Sequence, residues 1–142
     1  MKLLNFIICD DIRNELGSKH SLMGIYDDSI EFQVPPDSQN IWPKLLRIGI
    51  YAKVKTEDNE EVSRFKIRMK YNEKETVLLD RILSLPKVKT SKKINIAFVH
   101  NAFKFENPGN ISFFLDFYNQ KKELIATLSP EFVISVKEKV IQ

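Results

Sequence analysis

The chain is predicted to be an all-β protein, an antiparallel β-sandwich of about eight or nine strands formed by a single domain over residues 1–142. Apolar and polar residues alternate with a period of two almost throughout, which is the spacing of side chains on the two faces of a strand. The alternating runs are short and separated by Asn, Asp and Pro clusters. No repeat, low-complexity tract or linker offers a second domain a place to begin.

Leu3 to Cys9 is an apolar run of strand length, and Lys19 to Tyr26 and Ser29 to Val34 are strands parted by Asp27-Asp28. Gly17-Ser18 marks a turn, and Pro35-Pro36 stops the third strand because proline has no amide hydrogen for the ladder. From Leu46 to Thr56, Leu46, Ile48, Ile50, Ala52 and Val54 share an inward face, opposite Arg47, Gly49, Tyr51, Lys53 and Lys55. Val62 to Tyr71 alternates as cleanly, with Phe65, Ile67, Met69 and Tyr71 against Arg64, Lys66, Arg68 and Lys70. Asp58-Asn59 between them tolerates the positive φ of a tight turn. A hairpin about that turn would set Lys53 opposite Arg64 and Tyr51 opposite Lys66. Thr76 to Leu85 suits either a strand or two turns of helix and is taken as strand. Lys93 to Phe105 and Asn110 to Asn119 flank the Asn107-Pro108-Gly109 turn, and Glu123 to Leu128 and Phe132 to Lys137 complete the set. Phe113, Leu115 and Phe117 alternate with Phe114 and Tyr118, so that strand is expected to be covered on both sides.

Composition narrows the function classes. The 22 Lys+Arg and 19 Asp+Glu leave a net charge of +3, and 43% apolar residues beside 29% charged ones exclude disordered, collagenous and disulfide-scaffold classes. No run approaches the length of a membrane span, and the apolar opening is too short for a secretory signal. With Cys9 as the lone cysteine, a cytoplasmic, reducing compartment is expected.

Two constellations could carry function. Cys9-Asp10-Asp11-Ile12-Arg13-Asn14-Glu15, followed by His20, gathers groups able to hold a cation or to act as acid and base. Its spacing matches no metal template, and the commoner use of such residues is structural: Asp10 and Asp11 satisfy amides where the first strand ends, and Arg13 pairs with a carboxylate. Cys9 has no base placed beside it, and phosphate loops, nucleophile elbows and dinucleotide fingerprints are missing from the sequence. The second constellation is the polar face of the central hairpin, where Arg47, Lys53, Lys55, Arg64, Lys66, Arg68 and Lys70 surround Tyr51. Such a face suits phosphate backbone, an anionic membrane surface or an acidic protein, and it also serves simply to keep a sheet soluble.

The segments Cys9 to Glu15 and Gly17 to Tyr26, the proline loop near Pro35 and Phe103-Lys104-Phe105-Glu106-Asn107-Pro108-Gly109 together resemble an uncharacterised bacterial family, the domain of unknown function DUF6941. The resemblance covers nearly the whole chain and departs from the family pattern at Ile41 to Leu46 and in the lysine-rich Lys87 to Lys93. It implies a compact β-sandwich in a bacterial or phage-related cytosolic protein and implies no activity. Within it, Gly17 and Gly24 serve backbone geometry, and Asp10, Asp11, Arg13 and Glu15 come nearest to a shared site.

The expected function is therefore that of a non-enzymatic module, without cofactor or metal, binding an acidic protein or nucleic acid without sequence specificity through the basic hairpin face. Two alternatives stand beside it. One is a metal-dependent or hydrolytic enzyme built on Asp10, Asp11, Glu15 and His20. The other is a homo-oligomeric structural subunit that pairs through a strand edge or the aromatic strand near Phe114.

Overall fold

The computed structural model describes residues 1–83 and 92–142. Ten strands are present among them: β1 (Lys2–Glu15), β2 (Lys19–Tyr26), β3 (Ser29–Val34), β4 (Lys44–Lys55), β5 (Arg64–Tyr71), β6 (Lys74–Ile82), β7 (Lys93–Phe105), β8 (Gly109–Tyr118), β9 (Leu124–Leu128) and β10 (Ile134–Val140). A single 3-10 turn, Pro36–Ser38, interrupts the loop before β4. The ambiguous Thr76 to Leu85 segment is strand as far as Ile82, with Ser84 and Leu85 outside the described residues. So are Lys87 and Lys89 of the lysine-rich stretch.

The strands form two sheets. Sheet A has the order β2-β1-β4-β7, and sheet B runs β3-β10-β8-β5-β6, with β9 pairing along β8 beside β10. All pairs are antiparallel except β3 with β10, which is parallel. The sheets pack face to face. Ile8, Ile50, Ala52, Val54 and Ile96 from sheet A meet Ile67, Ile111, Leu115, Phe117 and Val136 from sheet B in one buried cluster. Phe6 of β1 touches Phe113 of β8 at 5.2 Å between rings, and Tyr71 of β5 meets Phe105 of β7 edge-on at 5.9 Å. The residues predicted to face inward on β4, β5 and β8 do so.

The expected pairing of the central hairpin is overturned. Strand β4 lies between β1 and β7 in sheet A, whereas β5 lies between β6 and β8 in sheet B. The turn at Asn59 exists, with φ of 65°, but the chain there crosses between sheets and buries Val62 on the way. The physical reason is that both strands carry an apolar face. Stacked across the core, those faces cover each other; side by side, they would share one surface still needing a lid.

The first strand also departs from expectation, running beyond Cys9 to Glu15. Its ladder with β4 ends at Cys9 opposite Gly49, while its ladder with β2 continues to Glu15 opposite Lys19. The free part of this hairpin folds back over the outer face of sheet A. His20 pairs with Asn14, and Tyr51 pairs with Ile7, seven positions earlier on β1. In a straight hairpin these positions would stand about 23 Å apart along the strand. Instead the His20 and Tyr51 rings lie 5.6 Å apart. Gly24, with φ of +67°, marks the bend on β2 between the Cys9–Ile25 and Asp11–Met23 pairs.

Gly49 makes the fold-back feasible. A Cβ there would stand 3.0 Å from both Cys9 Sγ and Ile12 Cγ1, so a side chain would push the hairpin off the sheet. Gly49→Ala is expected to lower stability by about 1–3 kcal/mol, as overpacking does, read as a lower urea midpoint at unchanged m-value.

Candidate functional site: two cationic sheet faces

The eight residues of the expected basic face divide between the two outer surfaces of the sandwich. Arg64, Lys66, Arg68 and Lys70 project from β5 on sheet B, and Arg47, Tyr51, Lys53 and Lys55 project from β4 on sheet A. The single patch of seven cations is thus not formed, and its halves meet different neighbours.

On sheet B the flanking strands supply carboxylates. Arg64 clasps Asp80 of β6 through two hydrogen bonds, Nε to Oδ1 at 2.7 Å and Nη2 to Oδ2 at 2.5 Å. Arg68 donates in the same manner to Asp116 of β8, at 2.5 and 3.1 Å, and reaches Glu75 at 3.2 Å. Lys70 lies 3.6 Å from Glu73. The aromatic outer residues of β8 lie beneath these cations: Arg68 sits 4.9 Å from the Phe114 ring centre, and Lys66 sits 5.4 Å from that of Tyr118. Strand β8 is thereby covered on both sides, by core on one and by guanidinium and ammonium groups on the other.

Asp116 anchors this network. It is 4% exposed and also accepts a hydrogen bond from Thr127 of β9 at 2.8 Å. Burial pushes its carboxyl pKa up, but the hydrogen bonds from Arg68 and Thr127 outweigh that and hold it below the ordinary value of 3.8.

The outer face of sheet A is different. Register places Lys2, Lys55 and Lys93 in one row across β1, β4 and β7, and the adjacent row is Asn5, Lys53 and Asn95. None of the ion pairs among the described residues involves these four lysines. Glu57 and Glu60, the carboxylates that follow β4, lie 3.8 and 3.4 Å from the Met1 ammonium. Lys2 and Lys93 were not among the residues singled out from sequence. Their membership depends on strand register, which alternation within one strand does not contain.

The remaining residues of the sheet A half act structurally. Arg47 donates to Asp11 Oδ1 from Nε at 3.1 Å and from Nη2 at 2.7 Å, and to Asn101 from Nη1. These bonds fasten the folded hairpin to β4 and β7. The Arg47 hydrogen bonds hold the Asp11 carboxyl below its ordinary value, and Tyr51 lies against His20.

The polar N-terminal residues do not converge. Asp10 accepts a hydrogen bond from the Tyr26 hydroxyl, Asp11 binds Arg47 rather than neighbouring Arg13, and Glu15 accepts from Ser21 at 3.1 Å. Arg13 has no ion-pair partner among the described residues, so the expected Arg13–carboxylate pair is replaced by Arg47–Asp11. Cys9 is fully buried, with its thiol 3.4 Å from the Asp11 carbonyl and 3.7 Å from that of Gly49, and burial pushes its pKa up. That suits a small core residue and not an activated nucleophile. No group of three or more His, Cys, Asp or Glu side chains placed to hold a metal occurs among the described residues. No helix among them is long and apolar enough to cross a membrane.

The family model for a family of unknown function, DUF6941, matches residues 4–136. The chain belongs to that family. The DUF6941 match takes in β2 to β9 whole, β1 from Leu4 and the first three residues of β10, so the folded hairpin and most of both sheets lie within it. A comparison with curated proteins returns no match.

Asp116→Asn is expected to cost about 1–3 kcal/mol at neutral pH, because Arg68 loses its charged acceptor. A depressed carboxyl pKa stabilises the folded state above the unfolded value and ceases to do so as pH falls through the folded one. The gap between wild type and variant should therefore be widest near neutrality and close below pH 3.8, which denaturant melts across an acid series would reveal.

Proposed function

We propose that this DUF6941 protein is a non-enzymatic β-sandwich module that binds an anionic macromolecule across the outer face of sheet A. The observation that supports the reading is the contrast between the faces. The Arg64, Arg68 and Lys70 cations of β5 have carboxylate partners, whereas Lys2, Lys53, Lys55 and Lys93 form a two-row grid with none among the described residues. Like charges on neighbouring strands destabilise a sheet, so an anion laid across the grid would relieve a repulsion the fold otherwise carries. Nucleic-acid phosphate fits these donors best: lysine ammonium groups with the Asn5 and Asn95 amides beside them match oxygens repeated along a backbone. The face offers no recognition helix, and its nearest aromatic, Tyr51, is engaged by His20. Binding of this type reads backbone and not base sequence. A bacterial cytoplasm, where Cys9 remains a buried reduced thiol, is the setting that accords with this reading.

Enzymatic chemistry has less support, because Asp10, Asp11, Glu15 and His20 each engage a different neighbour. Single-stranded nucleic acid should bind the wild type with affinity that falls steeply as salt rises. The double variant Lys53→Glu, Lys55→Glu should weaken binding and flatten the log–log salt slope by roughly 0.7 for each phosphate that is no longer neutralised. Lys66→Glu on the opposite face is the control and should leave the slope unchanged. An affinity indifferent to salt, or equal loss in both variants, would rule the face out, and binding of an acidic protein alone would replace nucleic acid as the ligand.

A further inference from the structure

Five strands have a free side, and four of them carry features that discourage further pairing. Strand β9 has only five residues and runs into Ser129-Pro130. Strand β2 bends at Gly24, β3 has only six residues and runs into Pro35-Pro36, and β6 places Lys74, Glu75, Asp80 and Arg81 within nine residues. Charges, bends, short length and proline are the usual protections of a sheet edge. Strand β7 is built otherwise. It is 13 residues long, and its span from Ile94 to Phe103 holds no formal charge, no proline and no glycine. It pairs with β4 on one side and with no described strand on the other. Its one irregularity is a bulge after His100, which leaves Lys93 to His100 as an unbroken eight-residue edge.

We propose that the free edge of β7 is a pairing site for a second copy of this chain, joining two sheets A into one continuous eight-stranded sheet about a two-fold axis. An antiparallel edge is self-complementary, since each residue i opposite j is matched by j opposite i. A register centred on Ala97 keeps inward residues together, with Ile96 facing Phe98 of the second copy. It sets Asn95 against Val99 and Ile94 against His100, so no two lysines meet. Ala97 is exposed and small, which lets the strands close at the axis. Pairing at this edge requires no ligand on the lysine grid.

Sedimentation equilibrium over a concentration series tests the assembly, and hydrogen exchange locates it. The wild type should dimerise, with β7 amides gaining protection as concentration rises. Ala97→Lys would set two ammonium groups face to face at the axis and should raise the dimer dissociation constant at least about tenfold, a loss of roughly 1.4 kcal/mol. Because Ala97 is exposed, the variant should melt as the wild type does at concentrations low enough to keep both monomeric, and the added charge leaves the lysine grid cationic. A monomer at every concentration, a dimer indifferent to Ala97→Lys, or protection confined to another surface would each overturn the proposal.

Discussion

The structure depends on the stacking of two alternating apolar faces. Neither sheet is stable with its inner face wet, and the core exists only where Ile50, Ala52 and Val54 of one sheet oppose residues such as Ile67, Leu115 and Phe117 of the other. At about 25 cal/mol per Å² of apolar surface removed from water, this term dominates any single hydrogen bond or ion pair on the exterior. It therefore decides which strands become neighbours. Strands β4 and β5 are consecutive, antiparallel in sense and joined through a turn with a residue in the left-handed region, yet they lie in different sheets because each needs the other's sheet as its lid.

That choice settles the fate of the outward charges. A cation on a sheet is neutralised by what the neighbouring strands present opposite it or diagonally within reach, as where Arg64 and Arg68 reach Asp80 and Asp116, which stand opposite Lys66. Strand β5 lies beside Asp80 and Glu75 on β6 and Asp116 on β8, so its arginines become structural clasps. Strand β4 lies beside Lys2 and Asn5 on β1 and Lys93 and Asn95 on β7, so its lysines meet amides and more lysines. Two strands with nearly the same polar pattern acquire opposite roles, one bracing the aromatic outer face of β8 and the other leaving positive charge uncompensated.

This also explains what could be read from the chain alone. Strand existence and inward faces were legible, because period-two alternation is a local property that the core enforces; the β5 and β8 patterns are intact in the structure. Turn positions were legible too, at Gly17-Ser18 and at Asn107-Pro108-Gly109. Pairing was not, since a turn between two strands looks alike whether it closes a hairpin or crosses a sandwich. Nor could alternation reveal that Lys2 and Lys93 complete a row with Lys55, because their juxtaposition depends on register between segments far apart in sequence. Asp10 and Asp11 stood at an apparent strand end because apolar character stops there, yet the backbone ladder with β2 continues through residues whose side chains are polar.

The continuation of β1 has a consequence for the outer face of sheet A. That face is apolar or small where Ile7, Cys9, Gly49 and Val99 lie, and polar where Asn5, Lys53, Lys55 and Lys93 lie. The folded β1–β2 hairpin covers the first region, with Ile12 against Gly49 and His20 against Tyr51. Covering it removes apolar surface from water and shields the thiol of Cys9. The lysine region gains nothing from such a cover, since burying unpaired ammonium groups is costly. The chain thus supplies its own lid for the half of the face that needs one, and the boundary between the halves is set by the chemistry of the sheet beneath.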